Sequence, residues 1–431
     1  MPSISSTAGA TSAPPLAAPA PPASPAPSRA ADDSLAPAQA AQEPRRPAHA
    51  AQEPLRPAHA AQEPLRPAQA APELLLPHAA LRRWLVACIV AVFLAVSVGG
   101  ITRLTESGLS ITEWKPVSGV LPPTTPEAWA VEFEKFQRIP QAQTTHAGMT
   151  ITEFKWIFWW EWFHRIIART VGLVFAIPFL WYLAKGVIPR GLRVRLAWLP
   201  FLTLCQGVLG WYMVSSGLSE RTEVSPYRLA AHLSLALAIL VIALWTWADL
   251  TPRKDEAAAS RGWRTTVNAL TALIAITIVT GAFVAGLRAG RIFNEFPLMG
   301  GQVVPPGYLA LGGWWRNALE NPVAAQFHHR TLAIVVAGFA LVVGWRARGA
   351  ALSALQARAM RRLVWAVMLQ VAVGIVTLLW AVPVALGALH QFTGVVLLTA
   401  AVLAVHAVRS APPPFRFRAS AAHSPVSLPS S

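Results

Sequence analysis

Long stretches without a single charged residue recur along this chain, separated by short polar or basic connections. They cover residues 84–102, 196–219, 229–248, 265–287 and 363–408. Each meets or exceeds the roughly 18 residues that mark a spanning helix. The last holds two helices, because Pro383 and Gly387 predict a tight hairpin between spans near 363–382 and 388–408. Two further stretches, 170–184 and 331–345, have shorter charge-free cores. They reach a useful length only if their polar beginnings, around His164 and His329, lie inside the membrane region. The pattern therefore predicts an all-α integral membrane protein with eight transmembrane helices. Composition agrees, with 54% hydrophobic and 13% charged residues, and a soluble domain is excluded on that balance.

Outside the spans the sequence changes character. Residues 41–70 hold three copies of a ten-residue unit, AQEPRRPAHA, AQEPLRPAHA and AQEPLRPAQA. The Ala/Pro-rich stretch 1–79 lacks apolar periodicity, which predicts a disordered tail. It has no signal-peptide core, and Asp32, Asp33, Glu43, Glu53 and Glu63 argue against a mitochondrial transit peptide. Residues 409–431 read as a second loose tail. The formal charge of +16 invites a nucleic-acid partner, but its distribution reads as topology instead. The second, fourth and sixth connections carry 13 Lys and Arg in 44 residues, a higher density than the longer odd-numbered ones. The positive-inside rule puts these connections and both termini in the cytoplasm, so the even helices begin at the outer surface.

Five of the eleven histidines then fall into a pattern. His164 opens the second helix, His232 lies about one turn into the fourth, His328 and His329 open the sixth, and His390 opens the eighth. An internal duplication accounts for this. EWFHRIIARTVGLVF aligns with QFHHRTLAIVVAGFA, pairing His164 with His329 and Arg165 with Arg330. LCQGVLG aligns with MLQVAVG, pairing Gln206 with Gln370 and Gly210 with Gly374, and His232 pairs with His390. The chain reads as two tandem four-helix bundles, residues 80–250 and 265–408, joined by a cytoplasmic linker at 251–264. An even number of helices per unit makes this a parallel repeat.

Two histidines from different helices at one depth suit axial ligation of a haem iron within a bundle. One membrane histidine alone would read as a hydrogen bonder between helices; four at equivalent repeat positions favour metal or haem. Zinc suits the pattern less, since no Cys or carboxylate completes a tetrahedral set in the second unit. Arg103, Arg165, Arg288 and Arg330, all near the outer helix ends, can pair with haem propionates, or alternatively reach lipid phosphates. The units differ at one position: Glu161 stands three residues before His164, on the same helical face, where the second unit has Gln326. This suggests a reaction in the first unit and a permanent redox cofactor in the second, although a structural carboxylate paired with Arg165 fits as well.

The stretch GGITRLTESGLSITEWKPVSGVLPP (99–123), with EFKWIFWWEWFHR (153–165) and GLRAGRIFNEFPLMGG (286–301), resembles the haem A synthase family, in the subgroup found in alphaproteobacteria and mitochondria. The resemblance covers roughly residues 80–408. It implies an oxidoreductase of the bacterial inner membrane that converts the position-8 methyl group of haem O to formyl with oxygen from water, in haem A biosynthesis for terminal oxidase. It further implies His164 and His232 as ligands of the substrate haem, Glu161 as essential to catalysis, and His329 and His390 as ligands of a resident haem b, with the sites toward the periplasm. His328, unmatched in the first unit, ranks below His329. Haem O synthase, an electron-transfer partner and membrane lipid are the expected partners, with no nucleic acid. Small residues such as Gly207 and Gly210 leave a homo-oligomer open. The only cysteines, Cys88 and Cys205, lie within predicted helices, so the outer-loop cysteine pair of some bacterial members is missing. Two other classes stay open at this point: a dihaem cytochrome b limited to electron transfer, and a transporter.

Overall fold

The computed structural model describes residues 71–115, 118–218, 222–253 and 257–410. The ten-residue repeats and nearly all of both tails lie outside them. Eight helices among the described residues are long and apolar enough to cross a membrane. They are α1 (Ala71–Leu104), α4 (Ile151–Ala184), α5 (Arg190–Ser215), α6 (Pro226–Asp249), α7 (Arg261–Gly286), α9 (Pro322–Arg348), α10 (Ala354–Leu379) and α11 (Val384–Ala407). Three shorter helices lie in the connections: α2 (Pro126–Gln137), α3 (Pro140–Gln143) and α8 (Trp314–Glu320). The all-α membrane architecture is thus as expected.

Two boundaries differ from the sequence reading. Helix α1 begins at Ala71, inside the stretch expected to be tail. The break between α10 and α11 falls at Trp380–Pro383, where Ala381 and Val382 adopt left-handed φ values of 56° and 59° and Pro383 caps α11. Gly387 is not part of the turn. It lies within α11 and makes room for α1, since a methyl group there would stand 2.9 Å from Leu104 Cδ1.

Helix α4 contains the whole of the polar-aromatic stretch 153–165. Its 34 residues rise about 50 Å, well beyond the hydrocarbon thickness of about 30 Å. The surplus carries a small extramembrane core. Thr150 and Glu153 close a capping box, with Glu153 Oε2 accepting from Thr150 N at 2.8 Å. Phe154, Ile157 and Phe158 then bury against Trp129 and Phe136 of α2, and Lys155 Nζ lies 5.2 Å from the Trp129 ring centre. The charged residues at the start of this helix therefore serve a cap standing on the membrane.

The spanning helices pack as two rings. In one, α1, α4, α5 and α6 contact in succession and α6 returns to α1; in the other, α7, α9, α10 and α11 do the same. The rings meet through α1, α6, α7 and α11, leaving α4 and α5 on one flank and α9 and α10 on the other. Near their C-terminal ends α6 and α11 are tied by a buried hydrogen bond, His406 Nε2 to Asp249 Oδ1 at 2.9 Å, and Asp249 also binds Arg195 of α5.

Phe154 is fully buried in the cap. Truncation of a buried Phe costs about 3 kcal/mol or more. Phe154→Ala is therefore expected to lower the thermal unfolding midpoint of the purified protein, whereas truncating the exposed Trp156 of the same helix leaves it nearly unchanged.

Candidate functional site

Four helix pairs repeat one contact. His164 of α4 lies against Gly99 of α1, and His232 of α6 against Gly210 of α5. In the other ring His329 of α9 lies against Gly281 of α7, and His390 of α11 against Gly374 of α10. A methyl group on any of these glycines would stand 2.8 to 3.0 Å from an imidazole atom. Each ring thus occupies space that only glycine on the facing helix leaves open, so its position is set by backbone packing.

The two histidines of the second ring face one another. Their ring centroids are 6.3 Å apart and their planes nearly perpendicular, at 88°. His329 Nδ1 lies 3.0 Å from the Thr277 carbonyl, which can only accept, so the proton sits on Nδ1 and Nε2 keeps its lone pair. Gln370 holds His390 from the other side, donating to its carbonyl at 3.0 Å and standing 3.2 Å from Nδ1. A metal–imidazole bond of about 2 Å on each side separates two such rings by about this much. The pair fits a haem iron. His328 points elsewhere, with Nε2 2.9 Å from the Tyr308 hydroxyl.

The first ring contains a cavity of about 410 Å³ lined by His164, His232, Glu161 and Arg165, with Arg103 and Arg288 also in its wall. Gln206 repeats the contact of Gln370, donating to the His232 carbonyl at 2.9 Å. The cavity is not the property of one ring, because Ala282, Ala285, Arg288 and Gln391 come from the second. Gln391 follows His390 on α11 and crosses to α1, where it donates to the Val96 carbonyl at 2.6 Å. Gly100 makes that crossing feasible, since its Cβ position lies 2.3 Å from Gln391 Oε1.

Glu161 is buried and has both oxygens engaged. Oε1 accepts from Arg165 Nη2 at 2.6 Å and Nε at 3.0 Å. Oε2 accepts from Ser110 Oγ and the Ile111 amide, each at 2.7 Å. Arg165 also donates to the carbonyls of Ile111 and Glu113, and the Glu113 carboxyl is held below its usual range first by Lys115 and then by Lys135. In the second ring Gln326 donates to the Phe293 carbonyl, and Arg330 to the carbonyls of Glu295, Pro297 and Leu298. Arg165 and Arg330 thus fasten the loops at 111–113 and 295–298, and Arg330 is not in the cavity wall. Arg103 and Arg288 sit differently, bridged by Glu223 and backed by Glu106. Glu106, Glu223 and Gln391 have no histidine-like repeat signature, and sequence reasoning missed them.

Fold and site together define an all-α multi-pass membrane protein with four histidines, each seated against a glycine of a facing helix. The family model described as cytochrome oxidase assembly protein (COX15-CtaA) matches residues 82–402. The chain is 46% identical over 329 residues to a haem A synthase of Parvibaculum lavamentivorans, covering 76% of this chain and 94% of that protein. It is also 46% identical to one of Bradyrhizobium sp. strain ORS 278, over 75% and 90% of the two chains, and 43% identical to one of Nitrosospira multiformis, over 76% and 92%. The chain belongs to the haem A synthase family.

The glycine contacts generate a direct test. Gly374→Val displaces His390, and about a tenfold loss of bound haem is expected, the scale set by misoriented metal ligands. Gly338→Val, where nothing lies within 4 Å, is expected to leave haem content unchanged. His329→Leu and His390→Leu are expected to remove or alter the haem absorbance, and His328→Leu to retain it.

Proposed function

We propose that this protein is a haem A synthase that oxidises the position-8 methyl group of haem O to a formyl group. The observation that carries this reading is the asymmetry of the two rings: a buried carboxylate, Glu161, lines the cavity beside His164 and His232, whereas the matched position in the other ring is an amide, Gln326. In this reading His164 and His232 hold the substrate iron, and the tandem copy holds a resident haem b between His329 and His390. Haem b supplies electron transfer out of the site when bound.

The chain's own groups define what the cavity does to its substrate. Converting methyl to formyl with water takes two successive two-electron oxidations, with loss of protons from carbon and from water. Apolar walls from both rings keep bulk water away from the porphyrin face and let a long hydrocarbon tail remain in lipid. Glu161 accepts four hydrogen bonds on its two oxygens. It must release a donor before it accepts a proton. The geometry therefore supports Glu161 as a fixed negative charge that stabilises cationic character at the ring edge, more than as the base. In this reading Arg103 and Arg288, which line the cavity and share Glu223, meet the propionates, while Arg165 and Arg330 hold their loops. A haem O synthase supplies the substrate, and an electron carrier accepts the electrons.

Mass analysis of haem extracted from the purified protein tests the activity. Haem b together with haem O, its hydroxylated form or haem A is expected; haem b alone would favour a plain dihaem cytochrome. Glu161→Gln is expected to keep haem b and to lower haem A formation on the order of 100-fold. Near-normal haem A from that variant leaves Glu161 as a fastener of the 110–113 loop.

The same reading puts both termini and the connections after α4, α6 and α9 in the cytoplasm, with the histidines toward the periplasm. A reporter active only outside the membrane, fused after Lys185, is expected to stay silent, and strong activity would reverse the orientation.

A further inference from the structure

At its outer end the cavity carries two guanidinium groups from different rings. Arg103 closes α1 and Arg288 follows α7 in a left-handed conformation, φ 52°. One carboxylate spans them: Glu223 Oε2 lies 3.3 Å from Arg103 Nη2, and Oε1 lies 2.5 Å from Arg288 Nε. Each arginine has a second anchor of its own. Arg103 Nη2 donates to the Ala285 carbonyl at 2.9 Å, and Arg288 Nη1 lies 3.0 Å from Glu106 Oε1. Arg288 Nε and Nη2 are both buried without a hydrogen-bond partner among the described residues, so Nε meets Glu223 as a charge contact alone. Glu223 itself stands on the connection between α5 and α6.

A glutamate side chain is itself a propionate: two methylenes ending in a carboxylate. The tetrapyrrole side chains that carry charge have the same two methylenes and the same carboxylate. A site that holds Glu223 with one oxygen on each arginine is therefore matched to them in length, charge and hydrogen-bonding capacity. Both cannot occupy the bridge. The second anchors keep the two guanidinium groups in place when Glu223 leaves, and the unpartnered Nη2 of Arg288 offers the incoming carboxylate a donor that Glu223 does not use.

We propose that Glu223 and a propionate of the substrate compete for the bridge between Arg103 and Arg288, so that Glu223 sets how tightly, and how selectively for free-acid tetrapyrroles, the cavity binds. This rests on the reading of the cavity as the substrate-haem site. Exchange of one carboxylate for another keeps the local charge balanced.

The test uses the purified full-length protein carrying its resident haem, titrated with ferric protoporphyrin IX and, separately, with its dimethyl ester. Binding of the added equivalent is followed by absorbance. Glu223→Gln removes the competing charge and is expected to tighten free-acid binding on the order of tenfold, leaving the ester unchanged. Arg288→Gln is expected to weaken free-acid binding by a similar factor, again without effect on the ester. An unaltered resident-haem spectrum verifies folding in both variants, and Glu223→Asp, which keeps the charge, serves as a second check by staying near wild type. Unchanged or weaker free-acid binding in Glu223→Gln, or equal changes for acid and ester, overturns the competition. Failure of the cavity assignment reads differently: His164→Leu would then leave binding of the added equivalent untouched for both probes.

Discussion

The structure depends on fitting imidazole rings into helix interfaces where almost nothing fits. In a close-packed bundle a ring cannot be added without removing something opposite it, and here the facing helix gives up its side chain entirely. Gly99, Gly210, Gly281 and Gly374 each leave the volume that one histidine fills. The consequence is rigidity. The ring is clamped between its own helix and a backbone, and a glutamine or a backbone carbonyl orients three of the four from behind. A ligand set held this way is formed before any ligand arrives, so little ordering cost is left for binding.

Much of this was legible in the residues, for physical reasons that also mark the limit. Charge-free windows report the cost of burying charge in hydrocarbon, so six of the eight spans could be read directly and the other two from shorter charge-free cores with polar beginnings. Histidine spacing reports a pairwise requirement that both halves meet, so His164, His232, His329 and His390 stood out. The outer cap was not legible, because Trp129, Phe136, Phe154 and Phe158 look in sequence like an aromatic membrane belt and only packing reveals a separate core. Gly387 looked like a helix breaker because glycine's permissiveness and its small size leave the same trace in sequence; the structure uses the size. Glu223 and Gln391 were hidden for a further reason. Each acts across the boundary between the rings, and a repeat alignment compares the rings without joining them.

The boundary is where the two halves become one machine. Residues from α7 and α11 complete a cavity whose histidines belong to α4 and α6. Through Gln391 the helix bearing His390 touches the helix that makes room for His164. The outer loops show a related economy. Glu161 and Gln326 occupy matched positions and both anchor the loop above them, one by accepting and the other by donating. Gln326 thus performs with a neutral amide the structural task that Glu161 performs with a carboxyl group.

The hydrogen bond between Asp249 and His406 gives the two central histidine helices a common origin of measurement. From that tie, His232 lies 17 residues back along α6 and His390 lies 16 residues back along α11. At 1.5 Å per residue the two distances are about 25 and 24 Å. The helices work as paired rulers fixed at one end, and both histidines stand at the same mark. Inserting or deleting one residue between tie and histidine would move that ring by about 1.5 Å and turn it by about 100°, away from its glycine. The spans of α6 and α11 are therefore fixed in length by the site they carry, more tightly than by the thickness of the membrane they cross.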